Sequence, residues 1–388
     1  MALNLLVGLP VAIGVWVYLG YPMFAWTLAR LAPYRPDHRD PRPTVAVAIA
    51  AHEEGDVIAE RIADVLAQES SGAEILEILV GSDGSGDRTA AVVAELARAD
   101  ARIRLLDLPR AGQTPTQAAL FEASVADVVI LTDAETRFRP GCVAAFAEAF
   151  RDPSVGCATG YLQWRDERAT ATSTNEGLYW RYERWVRDVE SRAGLLTAVT
   201  GAIMAVRRSA YAPVPPTASM DHLLPLYVIE CGRRVVTVPG AVATDRVISG
   251  LREQFRSRSR TATRGIRANL SMVVRLAPWR HPRAAIAIWS HKLLRWATPW
   301  LVLWASLGGI AAALTGTPAA LVVPLLVAGG LAAAAAGHLI AGSGRRPPMP
   351  LAFARAFTVV NLAFALAWID VVRGRRIAMW HPGSAESG

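Results

Sequence analysis

The chain has 388 residues, room for about two domains, and 52% of them are hydrophobic, more than an ordinary soluble enzyme carries. Its net charge of +8 is almost all arginine, with Lys292 as the one lysine. Much of that arginine flanks apolar stretches, as cytoplasmic charge beside membrane segments does, so anionic headgroups and a phosphate-bearing ligand explain it better than nucleic acid. The three cysteines, Cys142, Cys157 and Cys231, lack C-x-x-C spacing and the seven histidines form no H-x-x-x-H pair. Zinc chemistry is thereby disfavoured, and the cysteines read as buried reduced thiols.

Leu3 to Ala29 is apolar and uncharged, long enough to cross a bilayer, and Arg30, Arg35, Arg39 and Arg42 follow it. A secretory signal carries charge before its apolar stretch and a small-residue cleavage site after it. Neither is evident, so residues 1–30 read as an uncleaved transmembrane helix, and Pro33 to Pro43 as a Pro/Arg linker. From Thr44 strands and helices alternate: Val45–Ile49 strand, Asp56–Gln68 helix, Ile75–Val80 strand, Thr89–Ala99 helix, Ile103–Leu106 strand, Thr114–Ala123 helix, Val128–Leu131 strand. That order predicts an α/β domain over 44–249 with a mainly parallel sheet and right-handed crossovers. Pro140 to Phe150 begins another helix, Gly156–Trp164 and Val235–Val238 read as strands, and Thr172–Glu190 as a long polar-aromatic helix.

Residues 250–292 mix arginine with Ile266, Leu270, Met272, Val273 and Trp279, which suits amphipathic helices on a membrane surface. Ala297–Leu314, Ala319–Ile340 and Ala356–Val372 supply about three further spans within 293–376. Arginine placement puts the linker after the first span, the 250–295 region and Arg345–Arg346 in the cytoplasm, and the uncharged Thr315-Gly316-Thr317-Pro318 outside. Four full crossings would leave Arg373-Gly374-Arg375-Arg376 outside, against that rule. Either the rule is broken there or one segment is re-entrant.

Two acidic segments are the most informative. Ser82-Asp83-Gly84-Ser85-Gly86-Asp87-Arg88-Thr89 follows the run Ile75–Val80, and Thr132-Asp133-Ala134-Glu135 follows Val128–Leu131. Asp, Ser and Gly form turns, and the carboxyl ends of buried strands are where open α/β sheets place ligand groups. Asp133 and Glu135 suit a hard divalent cation, which Mg²⁺-type sites hold with one or two carboxylates plus substrate phosphates. The residues point to a nucleotide-diphosphate site.

These segments resemble the motifs of family 2 glycosyltransferases, which have the GT-A fold. Asp83-Gly84-Ser85 with Asp87 and Thr89 is similar to their D-D-G-S-x-D-x-T turn, and Asp133-Ala134-Glu135 to their D-x-D metal motif. Ala50-Ala51-His52-Glu53-Glu54 resembles the opening A-Y-N-E-E, and Thr200-Gly201 with Arg207-Arg208 the acceptor-side T-G-…-R-R. Asp221 resembles the last carboxylate of the E-D or D-D site. The resemblance implies a GT-A Rossmann-like domain between membrane helices. It implies Mg²⁺ or Mn²⁺ on Asp133 and Glu135, a nucleoside held by Glu53 and Asp83, and Asp221 as general base. Read alone, Asp83 is also a turn-capping carboxylate, Glu53 a first-turn helix carboxylate, and Asp221 an acid near a helix N-terminus.

Several positions depart from the family pattern. Glu135 stands where many members have Asp or Asn, and Met220 replaces the acid before Asp221. In Arg110-Ala111-Gly112-Gln113 a Gln takes the usual Lys position, with Gln117 near that of an Asn, which shifts donor-phosphate contact to Arg110. Gln254-Phe255-Arg256-Ser257-Arg258 does not match the Q-x-x-R-W of processive members. Arg260 and Arg264, in Arg260-Thr261-Ala262-Thr263-Arg264-Gly265, resemble the arginine-rich segment of another branch, on the diphosphate and acceptor side with Thr200 and Gly201. Alone, they equally suit a membrane surface. Ser290-His291-Lys292-Leu293-Leu294-Arg295-Trp296 resembles the S-H-K-x-x-R-W that precedes that branch's membrane helices.

The implied protein is an inverting, metal-dependent hexosyl- or N-acetylhexosaminyltransferase, multi-pass in the cytoplasmic (inner) membrane with its catalytic domain in the cytoplasm. Its donor would be a nucleoside-diphosphate sugar, a UDP-sugar in the first place. Its acceptor would be a lipid-linked or polysaccharide chain in cell-envelope or exopolysaccharide synthesis. A processive synthase and a non-catalytic membrane scaffold remain the alternatives.

Overall fold

A computed structural model describes residues 2–165, 171–246 and 251–375. Its strands are β1 (Val45–Ala51), β2 (Ile75–Asp83), β3 (Ile103–Leu108), β4 (Val128–Asp133), β5 (Arg137–Phe138), β6 (Val155–Arg165), β7 (Ile203–Arg207) and β8 (Arg234–Arg246). They form one sheet in the order β3-β2-β1-β4-β7-β6-β8-β5. The half from β3 to β4 is parallel throughout, as the alternating pattern predicts. β7 then pairs antiparallel to both β4 and β6, β8 runs parallel to β6, and β5 closes the edge antiparallel to β8.

The central strand shows why. All of Val45–Ala51 is buried, and a parallel strand covered on both faces needs an unbroken apolar run. Its side chains alternate between two cores. Val45, Val47 and Ile49 meet Ile58, Ile62 and Phe146 on one face. Ala46 and Ala48 meet Leu120, Leu224 and Met272 on the other. Each large apolar side chain so buried contributes roughly 1.5–3 kcal/mol.

The second half of the sheet departs from the sequence reading. β5 and β7 carry no strong strand pattern, and β8 runs well past Val235–Val238. Pro239 and Gly240 within it argue for a break. The strand continues because its register against β6 shifts between Thr159 and Tyr161, a bulge that absorbs the irregular residues. Gly160 is obligatory there, since a Cβ on it would stand 2.3 Å from the Ala241 carbonyl oxygen.

Leu6–Leu31, Pro318–Gly342 and Met349–Val372 are long and apolar enough to cross a membrane. The predicted span Ala297–Leu314 takes a different form. Thr298–Leu314 is bent by 64° from Pro282–Trp296, and the two qualify only as one broken segment. Pro299 sits at the start of the second helix, where proline is tolerated because that N–H needs no helical partner. Arg376, the end of the predicted membrane region, lies outside the described residues.

The helix Leu251–Met272 packs part of its apolar face on protein. Ile266 packs with Trp296, Val360 and Phe364, and Met272 with the sheet core. Among the described residues of 251–292, Leu270, Val274, Trp279 and Trp289 are the large apolar side chains that stay exposed. Cys142 and Cys157 are buried as expected, but Cys231 is exposed, because it follows the last turn of the helix Met220–Glu230.

Candidate active site

Parallel pairing sets Ala51 beside Ser82 and Ala50 beside Asp133, so the turns after β1, β2 and β4 share one edge of the sheet. The first two are laced together. His52 Nδ1 donates to the Asp83 carbonyl at 2.8 Å. The N–H groups of Glu53, Glu54 and Gly55 donate to Ser85 Oγ, Thr89 Oγ1 and Asp87 Oδ2 at 3.2, 2.9 and 2.9 Å. Glu53 has φ of 56°, unique for a non-glycine among the described residues. Such backbone persists where its surroundings over-determine it, often at functional sites. The Glu53 side chain is exposed.

Asp83 is buried and fully engaged. Its carboxylate accepts from Arg110 Nη1 at 2.6 Å and from the N–H groups of Ala111 and Gly112 at 2.7 and 3.0 Å. In this structure Asp83 thus shapes the 110–112 loop, and the Arg110 guanidinium lies on it. Gly84, at φ 61°, has no room for a side chain: a Cβ would stand 2.7 Å from the Arg110 nitrogen.

Asp133 closes β4. Gln113 Nε2, from the position where the resemblance leads one to expect lysine, donates to its Oδ1 at 2.8 Å. Burial, then the charges of Asp245, Asp221 and Glu135, pushes the Asp133 carboxyl up to about 7, against the Gln113 hydrogen bond. Glu135 is exposed at the rim.

Asp221 lies in the first turn of the helix Met220–Glu230. Its Oδ1 accepts from the Ser219 hydroxyl and from His222 Nδ1, the latter at 3.0 Å. Burial opposes its ionisation, but His222, Ser219 and Arg264 outweigh that and bring it down to about 2. Gly201 packs on it, a Cβ there falling 3.5 Å from Asp221 Oδ2. Thr200 Oγ1 accepts from Arg187 at 2.9 Å. The helix Leu251–Met272 approaches so closely at Gly265 that a Cβ would come within 2.8 Å of the His222 ring and 2.5 Å of Trp296. Arg264 is half-buried, and its Nε has no hydrogen-bond partner among the described residues. Arg260 is near enough for its charge to act on Arg264.

The fold therefore brings Asp133, Glu135, Asp221, Gly201 and Arg264 into one electrostatic neighbourhood, and sets Glu53, Asp83 and Arg110 along the same edge. Sequence reasoning missed Asp245. Its period-two pattern is legible only once β8 is seen to run on through Pro239 and Gly240: Ala241 and Ala243 point into the core, and Asp245 follows on that face. Among the described residues no three His, Cys, Asp or Glu side chains stand close enough to hold an ion. Two carboxylates completed by substrate phosphates need no third protein ligand, and a cation would relieve the repulsion that raises Asp133. On that chemistry the donor set fits a divalent metal.

A second cluster of buried charge, also missed, joins the domain to the membrane helices. Within the helix Ala171–Ala193, Glu183 accepts from Arg295 at 2.6 Å, and Glu190 accepts from His291 Nδ1 at 2.7 Å and from the Tyr21 hydroxyl at 2.5 Å. Arg295 Nη1 also lies 2.7 Å from His291 Nε2. Trp16 Nε1 donates to Ser290 Oγ at 2.9 Å. The motif Ser290–Trp296 is thus spent on internal contacts.

A family model described as glycosyltransferase like family 2 matches residues 41–268. An N-acetylglucosaminyltransferase of Rhizobium leguminosarum bv. viciae is 28% identical over 250 residues, 59% of this chain and 58% of that one. A hyaluronan synthase of Streptococcus pyogenes is 26% identical over 221 residues, 52% of each chain. The chain thus spans little more than half the length of these relatives. Among solved structures, a mannosyltransferase from Pyrobaculum calidifontis, in complex with GDP-Man and Mn²⁺, matches with TM-score 0.68 at 19% identity, over 96% of this chain and 100% of that one. That likeness establishes the fold: a GT-A-type sheet flanked by apolar helices.

Proposed function

The chain belongs to glycosyltransferase family 2, and from that premise we propose that it is a membrane-bound, inverting glycosyltransferase acting in cell-envelope polysaccharide synthesis. The observation that carries this reading is the carboxylate group at the sheet's carboxyl edge. The charges of Asp245, Asp221 and Glu135 converge there on Asp133, beside Arg264, half-buried and with no hydrogen-bond partner for its Nε among the described residues.

Asp133 and Glu135 would hold Mg²⁺ or Mn²⁺, which when bound neutralises the leaving diphosphate. Mn²⁺ in the mannosyltransferase supports a divalent ion without choosing between them. Asp221 takes the acceptor proton. Ser219 and His222 orient it, and Arg264 helps to keep it ionised. Donor phosphate on Arg264 and Arg260 would draw positive charge from Asp221 and make it a stronger base. Thr200 and Gly201 flank the acceptor hydroxyl. Glu53 and Asp83 serve the nucleoside side of the site, Glu53 by contact and Asp83 by fixing the loop that carries Arg110.

The relatives named N-acetylglucosaminyltransferase and hyaluronan synthase support a UDP-sugar donor of hexosyl or N-acetylhexosaminyl type and a glycan or lipid-linked acceptor. The arginine flanks of the apolar helices support a cytoplasmic catalytic domain in an inner membrane. Hyaluronan synthase also favours a second reading, a processive synthase, though Gln254–Arg258 lacks that motif.

The test is full-length protein in membranes, given a panel of nucleotide sugars, with released nucleoside diphosphate as the readout. A UDP-sugar should turn over, stop with EDTA and restart with Mn²⁺ or Mg²⁺. Full turnover in metal-free buffer would sink the metal assignment, and silence across the panel would favour the scaffold. Product length separates single addition from processive synthesis.

A further inference from the structure

A cavity of about 460 Å³ lies at the start of β8, the opposite end of that strand from Asp245. Leu195 and Val236 give it apolar walls, and Arg233, Arg234, Arg283 and His281 line it. None of the described residues lining it is acidic. Arg233 is tied to the Pro153 carbonyl at 2.5 Å. Arg234 and Arg283 converge on Gly194, their Nη1 atoms lying 2.8 and 3.9 Å from where a Cβ would stand on it. Arg234 stacks on Tyr34, 4.9 Å from the ring centroid. Among the described residues neither guanidinium has a carboxylate partner. Two cations brought this close without an anion repel each other, and the planar guanidinium fork matches phosphate geometry.

The surroundings indicate where the phosphate would come from. Leu195 packs with Ala25 and Ala29, at the end of the first membrane-spanning helix, and with Ala287. Trp279 and Val274, in the segment leading to His281, are each 81% exposed. On the first helix Trp26 is exposed, with the Arg30 guanidinium 4.8 Å from its ring centroid. Exposed tryptophan beside arginine marks the headgroup layer of a bilayer.

We propose that this cavity seats a phosphate group, supplied by the headgroup of an anionic membrane lipid. It would anchor the base of the catalytic domain at the depth of the lipid phosphates, away from the transfer site. The inference rests on the membrane placement of the first helix and not on transferase activity.

Thermal unfolding of the full chain in detergent, read without any sugar donor, tests it. Short-chain phosphatidylglycerol should raise the midpoint saturably, and phosphatidylcholine of the same chain length should do so far less. Arg234→Gln with Arg283→Gln should weaken the apparent affinity, about fivefold for each arginine. Arg345→Gln, an exposed arginine between the last two membrane helices, should leave it unchanged. Should the double variant fail to fold, Arg283→Gln alone carries the test, because that side chain is exposed. If inorganic phosphate alone gives the full shift, and the variants abolish it, the phosphate seat stands and its source is soluble. An undiminished phosphatidylglycerol shift in Arg283→Gln and the double variant would overturn the proposal. Because binding is read without transfer, an inactive enzyme would leave the result intact.

Discussion

Two carboxylates, Asp133 at the sheet edge and Glu183 at the membrane junction, are shielded from water in this protein, and they are handled in opposite ways. At the sheet edge Asp133 faces Asp245, Asp221 and Glu135, and its carboxyl rises to about 7. At the membrane junction Glu183 is held well below the usual carboxylate range: burial resists, but Arg295, His291 and Arg187 outweigh it. Glu190 is lowered in the same way, against its burial, by His291 and Lys292. Burial penalises a charge unless it is paired. The junction is already paired, so it holds structure together. At the edge Asp221 is held down in the same way, by His222, Ser219 and Arg264 against its burial, whereas the charges acting on Asp133 are those of Asp245, Asp221 and Glu135, which is the condition of a group that takes a cation.

The sharpest way to break this contrast is at Asp221. Asp221→Asn keeps size and loses basicity, so transfer should fall about 10²–10⁴-fold while donor KM and folding stay near normal. Initial rates over a range of donor concentrations give the two constants. A variant that transfers at the parental rate would remove Asp221 from the chemistry.

Glu183→Gln should do the reverse. It leaves the buried Arg295 without its carboxylate, and breaking a buried pair costs about 3–5 kcal/mol. Denaturant unfolding in detergent should show that loss, with transfer failing only as folded protein is lost. Unchanged stability would mean the junction is not structural in the sense drawn here.

The smallest effect concerns Asp133 in cation-free buffer. Its carboxyl titrates at 3.8 when unperturbed and at about 7 in the fold. The unfolded chain therefore loses this proton first, and stability should fall as pH rises from about 4 to about 7, then level off. Asp133→Asn should flatten that slope and be more stable at pH 8 by about 1–2 kcal/mol, one pKa unit being worth about 1.4 kcal/mol and residual exposure screening part of it. Saturating Mn²⁺ should erase the parental slope. A parental slope that Asp133→Asn leaves in place would assign the repulsion to another acid.

The difference in legibility between the halves of the sheet has a physical origin. From β1 to β4 each strand is a short apolar run ending in an acidic or Gly-rich turn, and the helices between them have their own 3.6-residue period. Asp83 and Asp133 could be read from such local patterns. β8 could not, since Pro239 and Gly240 look like a break until the bulge opposite them is seen. Asp245, beyond that point, was lost with it. The arginine-rich helix Leu251–Met272 is ambiguous in sequence for a related reason. Its amphipathic period is the same whether lipid or protein covers the apolar face, and only the fold shows Gly265 set against His222 and Trp296.

Sequence alone determined the parallel half of the sheet, the apolar helices and the acids at two strand ends, because each follows from a period or a turn within a few residues of chain. Tertiary structure alone decided the rest. It gathered Asp245 and Asp221 around Asp133, spent the Arg110 guanidinium on Asp83, and matched Glu183 and Glu190 to Arg295 and His291 across more than 100 residues of sequence. Whether a buried carboxylate is neutralised depends on which charges the fold brings within a few ångströms of it, and no local pattern carries that distance.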